Sequence, residues 1–187
     1  MVSEHSELKE HTSIPAVAFV GRSGSGKTTL LEKVIAELVH RGIKVGTVKH
    51  HSHVGFDIDY EGKDSWRHRQ AGSSFVVVAS PDQVASIQTL EQELEVEQIL
   101  ARMEGVDLVL VEGYRKSSLP TIELFRSGNP KDVDRAVGGE GNKIIAVVTD
   151  IPRVGQEARD QDIESFTYEN ILEIASFIER VFLSIMH

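Results

Sequence analysis

The chain has 187 residues, 40% hydrophobic and 26% charged, with a formal net charge of −9. This composition is typical of a folded globular protein, and its acidic excess argues against broad electrostatic binding to nucleic acid or anionic membranes. The sequence contains no cysteine, which excludes disulfides, thiolate metal sites and cysteine nucleophiles.

We expect no targeting signal in the first residues of the given sequence. Residues 1–13 are polar and charged and lack the apolar core of a signal peptide, and no apolar run is long enough to span a membrane. We therefore expect a flexible tail over residues 1–13, a single domain over residues 14–187 and a cytoplasmic location.

The N-terminal half begins with a strand, a glycine loop and a helix. A short apolar run predicts a strand over residues 16–20, and from Thr28 onwards the apolar residues follow helical spacing until Gly42. A second strand is predicted over residues 43–48 and a short helix over residues 63–71.

The remaining elements continue this alternation. Strands are predicted over residues 75–79, 84–89, 106–111, 120–125 and 144–148, with an acidic helix over residues 90–104 and a closing amphipathic helix over residues 169–183. Continuous apolar strands that alternate with helices predict a three-layer α/β fold, a mainly parallel sheet with helices on both faces. Ligands of such sheets bind beyond the carboxyl ends of the strands.

The segment between the first strand and the first helix matches the phosphate-loop motif Gly-x-x-x-x-Gly-Lys-Thr. Its glycines allow backbone amides to point at phosphate, and the helix N-terminus adds partial positive charge. Lys27 is expected to bridge the terminal phosphates of a nucleoside triphosphate, and Thr28 to offer its hydroxyl to Mg²⁺. The predicted nucleotide-binding residues are Gly21, Arg22, Ser23, Gly24, Ser25, Gly26, Lys27, Thr28 and Thr29.

Arg22 occupies the second position of this motif. A cation there could reach the phosphates of a neighbouring subunit in the manner of an arginine finger. It could equally be a solvated arginine on the loop, and the sequence leaves both readings open.

A second magnesium ligand is predicted at the end of the strand over residues 106–111. That strand is flanked by Asp107 at its start and Glu112 at its end. Glu112 lies on the same rim as the phosphate loop, so the predicted metal ligands are Thr28 and Glu112.

A basic and histidine-rich segment follows the second strand, with Lys49, His50, His51 and His53 close together. Three interpretations remain open: a site for an anionic ligand, a solvated loop, or a transition-metal site. Lys49, His50 and His51, together with Arg67, are the predicted residues of a second-ligand site. The aspartates downstream could assist Mg²⁺ or keep the loop solvated, and Asp59 could position water for hydrolysis.

Taken in order, these motifs resemble those of molybdopterin-guanine dinucleotide biosynthesis protein B (MobB), a family of GTP-binding accessory proteins. The resemblance is carried by residues 21–30, then Val48-Lys49-His50, Asp64-Ser65 with Arg67-His68 and Ala71-Gly72, and finally residues 110–114. It covers nearly the whole chain after the tail.

The resemblance implies a homodimer of phosphate-loop subunits that binds GTP and Mg²⁺ and has weak GTPase activity. It also implies a role beside the nucleotidyltransferase that attaches GMP to molybdopterin, with a molybdopterin-type ligand as a possible second ligand. The expected catalytic contributors are Lys27, Arg22 and Asp59. The Asn-Lys-x-Asp signature that reads guanine in small GTPases is absent, and Asp150, just after the strand over residues 144–148, is a candidate substitute or a simple turn residue.

Two other functions fit the same residues. A small-molecule kinase or ligase would use the loop with ATP, and a metallochaperone GTPase would use His50, His51 and His53 to carry a metal. The long segment over residues 126–142 has no assigned role and could be a lid or a partner-facing loop.

Overall fold

The computed structural model describes residues 14–51, 55, 58–138 and 143–184. The N-terminal tail, together with His53 and Asp57, therefore lies outside the described residues. None of the helices in the described ranges is both long and apolar enough to span a membrane.

The helices and strands follow one another in the order the sequence predicts, with two additions near the C-terminus. Their bounds are β1 Ala16–Val20, α1 Lys27–His40, β2 Val45–Lys49, α2 Asp64–Gln70, β3 Phe75–Ala79, β4 Val84–Gln88, α3 Val96–Leu100, β5 Leu108–Glu112, β6 Thr121–Phe125, β7 Ile144–Thr149, α4 Pro152–Asp160, β8 Glu164–Phe166 and α5 Ile171–Phe182.

The chain forms two compact units. The first comprises Met1–His50 and Val96–His187, and the second comprises His51–Glu95. The prediction of one domain over residues 14–187 stays a prediction, since compactness alone does not define a domain.

The first unit is a six-stranded sheet in the order β2-β5-β1-β6-β7-β8. All five strand pairs are parallel. Alternate residues of the central strands pack on opposite faces: Val17 and Phe19 pack with α1 and α5, whereas Ala18 and Val20 pack with α3. Helix α4 covers β6 and β7 on the α3 face. The predicted three-layer α/β fold is thereby confirmed.

The second unit contains α2 and an antiparallel hairpin of β3 and β4. The hairpin register runs from Phe75 opposite Gln88 to Ala79 opposite Val84. Both strands were predicted at these positions, but they form a separate two-stranded sheet instead of joining the parallel one.

One predicted element differs from the one observed, and two observed elements were not predicted. The acidic helix predicted over residues 90–104 is only Val96–Leu100. Glutamates 91 and 95 would repel each other at i and i+4 in a longer helix, as would glutamates 93 and 97. Helix α4 and strand β8 were not predicted, because α4 buries only the short Val154, Gly155 and Ala158 and β8 has three residues.

Candidate nucleotide-binding site

The predicted phosphate loop connects β1 to α1 at the carboxyl edge of the parallel sheet. Gly24 and Gly26 adopt φ values of 83° and 80°, a left-handed conformation that glycine reaches without strain. Gly21 has a different role, since a Cβ there would lie 2.5 Å from Ser25 Oγ and 3.0 Å from the Leu124 carbonyl oxygen. The glycine positions of the motif are therefore required by the backbone itself.

Lys27, the first residue of α1, folds back over the loop. Its Nζ donates to the carbonyl oxygens of Gly21 and Arg22, both at 2.9 Å. Burial lowers the pKa of Lys27, an effect that Glu112 opposes and Arg115 reinforces. The cation is thus held beside the loop on which phosphate is expected.

Thr28 and Glu112 meet on this rim. The Thr28 hydroxyl lies 3.1 Å and 3.2 Å from the two carboxylate oxygens of Glu112, and Lys49 Nζ lies 3.4 Å from the same carboxylate. Strand register explains the meeting, because Glu112 pairs with Phe19 on one side and Lys49 on the other. A hydroxyl and a carboxylate at this spacing are oxygen donors of the kind that Mg²⁺ prefers.

Asp107, the other carboxylate of this strand, lies at the opposite end of the sheet. Its Oδ2 accepts a hydrogen bond of 2.8 Å from the Lys44 amide. This bond ties the start of β5 to β2, away from the phosphate loop, so only Glu112 adjoins Thr28.

Arg115 is a further candidate site residue, one that was not predicted from the sequence. Its Nη2 donates to the Gly21 carbonyl oxygen at 2.7 Å. Arg115 follows a tight turn in which Gly113 has φ 96° and Tyr114 has φ 49°. The only signal in the sequence was its position, three residues after the strand-end carboxylate.

The segment after β6 also supports the loop. Asn129 Nδ2 donates to the Ser23 carbonyl oxygen at 3.0 Å. Inside this segment Arg135 forms a buried ion pair with Glu123 at 2.8 Å and donates to the Leu124 carbonyl oxygen at 2.7 Å. Part of the unassigned segment over residues 126–142 therefore contacts and supports the phosphate loop. Residues 139–142 lie outside the described residues.

Tyr168, which precedes α5, fixes the other side of the loop. Its buried hydroxyl lies 2.7 Å from the Ser25 carbonyl oxygen and 3.2 Å from that of Phe125. The guanidinium of Arg126 stacks on its ring, 4.3 Å from the centroid. Burial raises the pKa of Tyr168, so the phenol remains a neutral donor well beyond its ordinary range.

Asp150, the candidate guanine reader, lies at the end of β7. Its Oδ1 accepts a hydrogen bond of 2.6 Å from the Ser127 amide, and its Oδ2 lies 3.4 Å from Arg126 Nε. It also borders a cavity of about 280 Å³ at the ends of β7 and β8, lined in part by Thr149, Phe166 and Thr167. Its role toward guanine stays a prediction.

The histidine-rich segment is divided between the two units. His50 belongs to the first unit and packs against the ring of Tyr114, 4.5 Å between centroids. In the second unit Asp59 Oδ1 accepts a hydrogen bond of 2.9 Å from the Ser65 hydroxyl, and Arg67 lies 3.6 Å from Asp64. The second-ligand role of Lys49, His50, His51 and Arg67 stays a prediction, as does the hydrolytic role of Asp59.

A transition-metal site finds no support in the described ranges, where no group of three or more His, Asp or Glu side chains is arranged to hold a metal ion. Arg22 is exposed on the loop and Thr29 in the first turn of α1. The trans role of Arg22 stays a prediction.

Comparison with known proteins agrees with this architecture. The model of the family described as molybdopterin guanine dinucleotide synthesis protein B (MobB) matches residues 16–150. A molybdopterin-guanine dinucleotide biosynthesis adapter protein of Haemophilus influenzae is 36% identical over 171 residues, which cover 90% of each chain. Its counterpart in Escherichia coli K12 is 41% identical over 150 residues, 75% of this chain and 81% of its own length.

Solved structures show the same fold. A crystal structure of molybdopterin-guanine biosynthesis protein B superposes with a TM-score of 0.66 at 29% identity, covering 89% of this chain and 99% of that one. Bacillus subtilis MobB gives a TM-score of 0.71 at 23% identity over 91% of this chain and 99% of its own, which speaks to the fold alone. The family match, the identities and the fold together show that this chain belongs to the MobB family.

Proposed function

We propose that this MobB-family chain is an adapter of molybdopterin guanine dinucleotide biosynthesis that binds GTP with Mg²⁺ and hydrolyses it slowly at most. The observation that carries this proposal is the meeting of Lys27, Thr28 and Glu112 at the carboxyl ends of β1 and β5. Its relatives in H. influenzae and E. coli are named as adapters of that biosynthesis.

Phosphate binding follows from the loop. A triphosphate would replace the carbonyl oxygens that Lys27 now contacts with stronger anionic acceptors, and the amides at the start of α1 would face the same phosphates. Thr28 and Glu112 would hold Mg²⁺, which neutralises phosphate charge when bound.

Preference for guanine is the part of the proposal that rests on Asp150 and the cavity beside it. A carboxylate that accepts the two N–H groups on the edge of guanine rejects adenine, which offers an acceptor and a differently placed donor. The cavity at the ends of β7 and β8 is lined by Asp150, which pairs with Arg126, and by Thr167, which precedes the loop-supporting Tyr168 in sequence.

A calorimetric titration with Mg²⁺ and GTP or ATP tests this proposal. We expect the wild-type chain to bind GTP more tightly than ATP, and Lys27→Ala to lose about 100-fold in GTP affinity because two charge-assisted contacts to phosphate disappear. Lys33→Ala is the matched control, since Lys33 is an exposed lysine of the same helix. Its affinity should equal that of the wild type.

Two results would contradict the proposal. Unchanged GTP affinity in Lys27→Ala would remove the phosphate-loop assignment. A clear preference for ATP would favour the small-molecule kinase or ligase, for which turnover near the enzyme median of about 10 s⁻¹ would be the accompanying sign.

The adapter role also requires a partner, and the proposed arrangement is a homodimer that contacts a guanylyltransferase. The β3–β4 hairpin offers a surface for self-association, because Phe75 and Val77, each 52% exposed, and Val84, 73% exposed, lie on the same face of the hairpin. An isolated two-stranded hairpin is marginally stable, and contiguous exposed apolar side chains mark interaction sites. A second copy of the chain is the proposed occupant, as the resemblance to MobB implies.

A further inference from the structure

The carbonyl oxygen of Gly21 is shared by two cations that come from different elements. Lys27 Nζ donates to it from α1 at 2.9 Å, and Arg115 Nη2 donates to it from the turn after β5 at 2.7 Å. Gly21 is the first residue of the phosphate loop. The guanidinium of Arg115 is therefore adjacent to the lysine that marks the terminal phosphates.

Placing two like charges against one neutral oxygen is electrostatically unfavourable. Burial is the main cause that lowers the pKa of Lys27, and the charge of Arg115 lowers it further. Glu112 offsets part of this repulsion, but its carboxylate already contacts Thr28 and Lys49. An anion between Lys27 and Arg115 would relieve the repulsion and would be bound strongly for that reason.

The turn that carries Arg115 is built at a conformational cost. Tyr114 is a non-glycine residue with φ 49°, a region that aromatic residues rarely adopt. Gly113 cannot be replaced by a residue with a side chain, since a Cβ there would lie 2.9 Å from His50 Cβ in addition to requiring φ 96°. Strain of this kind persists at functional sites because the surrounding contacts, here the His50 ring on Tyr114, enforce it.

We infer that Arg115 binds the terminal phosphate of the bound triphosphate, acting from the same subunit. This inference rests on the proposed function and deepens it by naming the residue that distinguishes triphosphate from diphosphate. Without nucleotide, Arg115 donates to the Gly21 carbonyl oxygen. With nucleotide bound, one or more of its guanidinium N–H groups donate to phosphate oxygens instead, because these are better acceptors than a carbonyl. Residues 113–117 would then report which nucleotide is bound.

The competing explanation is that Arg115 only anchors the loop through Gly21. The two explanations differ in what they predict for a nucleotide that lacks the third phosphate. An anchor stabilises the loop for every nucleotide, whereas a terminal-phosphate contact is lost with that phosphate.

The experiment compares the affinities of a non-hydrolysable GTP analogue and of GDP, each with Mg²⁺, by calorimetry on the full chain. For Arg115→Ala we expect the affinity for the GTP analogue to fall about 10- to 100-fold, the worth of a hydrogen bond to a charged group, and the affinity for GDP to change less than about threefold. Arg115→Lys should recover part of the loss, since lysine keeps the charge but not the fork of donors. Lys116→Ala, which removes an exposed charge from the next position, should match the wild type.

Each other outcome is decisive. Equal losses for both nucleotides in Arg115→Ala would show the anchoring role and overturn this inference, as would unchanged affinity for both. A wild-type chain that binds neither nucleotide would overturn the proposed function itself, a result that can be told apart because it needs no variant.

Discussion

Strands β1 and β3 have almost the same composition and opposite environments. Each has five residues, Ala-Val-Ala-Phe-Val in β1 and Phe-Val-Val-Val-Ala in β3. All of β1 is buried between two parallel neighbours, whereas only Val76 of β3 is buried. Apolar residues thus determine that a strand forms, but the neighbours that topology supplies determine whether it becomes core or surface.

The functions proposed for the two strands differ accordingly. The buried strand ends in the phosphate loop, and a rigid sheet can hold Lys27 and Glu112 in fixed geometry. The exposed strand belongs to a two-stranded hairpin with apolar residues at its surface, which suits association with another chain.

The largest expected effect contrasts the phenylalanines of these two strands. Phe19 is fully buried and Phe75 is 52% exposed. We expect Phe19→Ala to lower the free energy of unfolding by about 3–5 kcal/mol through lost burial and a cavity, and Phe75→Ala to lower it by less than about 1 kcal/mol. Urea denaturation followed by circular dichroism, at low protein concentration, measures both.

Equal losses of unfolding free energy in the two variants would contradict this prediction, since they would mean that Phe75 is as buried as Phe19 in the isolated chain. Repeating the measurement at high protein concentration tests whether association changes the burial of Phe75. A cost of Phe75→Ala that grows with concentration would indicate that association buries its ring.

The buried half of this comparison was predictable from sequence and the exposed half only in part. The positions of β1, the loop and α1 followed from the apolar run, the glycines and the helical spacing, and the rim position of Glu112 followed from its place at a strand end. Membership of β3 and β4 in a separate sheet did not follow, because strand periodicity carries no information about which strands pair.

Contacts made through turns were also beyond prediction. Arg115 contacts Gly21 after a turn in which Gly113 and Tyr114 adopt positive φ, and Tyr168 contacts the carbonyl oxygen of Ser25, 143 positions earlier in the sequence. Neither a positive φ in a turn nor a contact between distant residues produces a recognisable local pattern in the sequence. Helix α4 was missed for a related reason, since its buried residues are small and its remaining face is polar.

The next effect concerns association through the exposed strand. Val77→Asp places a charge on the apolar surface of the hairpin, and we expect it to weaken self-association at least about 10-fold because that carboxylate would have to be desolvated. Sedimentation equilibrium over a range of protein concentrations measures the dissociation constant. Val133→Asp is the matched control, since Val133 is a valine 44% exposed in the first unit.

Equal weakening by both substitutions would assign the effect to net charge and not to the hairpin. A wild-type chain that remains monomeric at every concentration would contradict the proposed homodimer, while leaving the phosphate loop untouched.

The smallest effect tests how the buried sheet supports the loop. Tyr168→Phe removes a hydroxyl that bonds the Ser25 carbonyl and should cost about 1 kcal/mol of unfolding free energy at neutral pH. Because burial raises the pKa of Tyr168 above the ordinary 10.0, the folded chain keeps this proton where the unfolded chain releases it. The stability that this group gives the wild type is complete below pH 10 and is lost as the pH rises beyond that value. The difference in unfolding free energy between wild type and Tyr168→Phe should therefore shrink above pH 10.

Tyr60→Phe is the control, because Tyr60 is 77% exposed, and it should leave the unfolding curve unchanged at neutral pH. A loss of unfolding free energy in Tyr168→Phe that stayed constant from pH 8 to above pH 10 would contradict this prediction, because it would mean that burial does not hold the phenol neutral. The phosphate loop would then depend less on its buried contacts than the contrast between β1 and β3 implies.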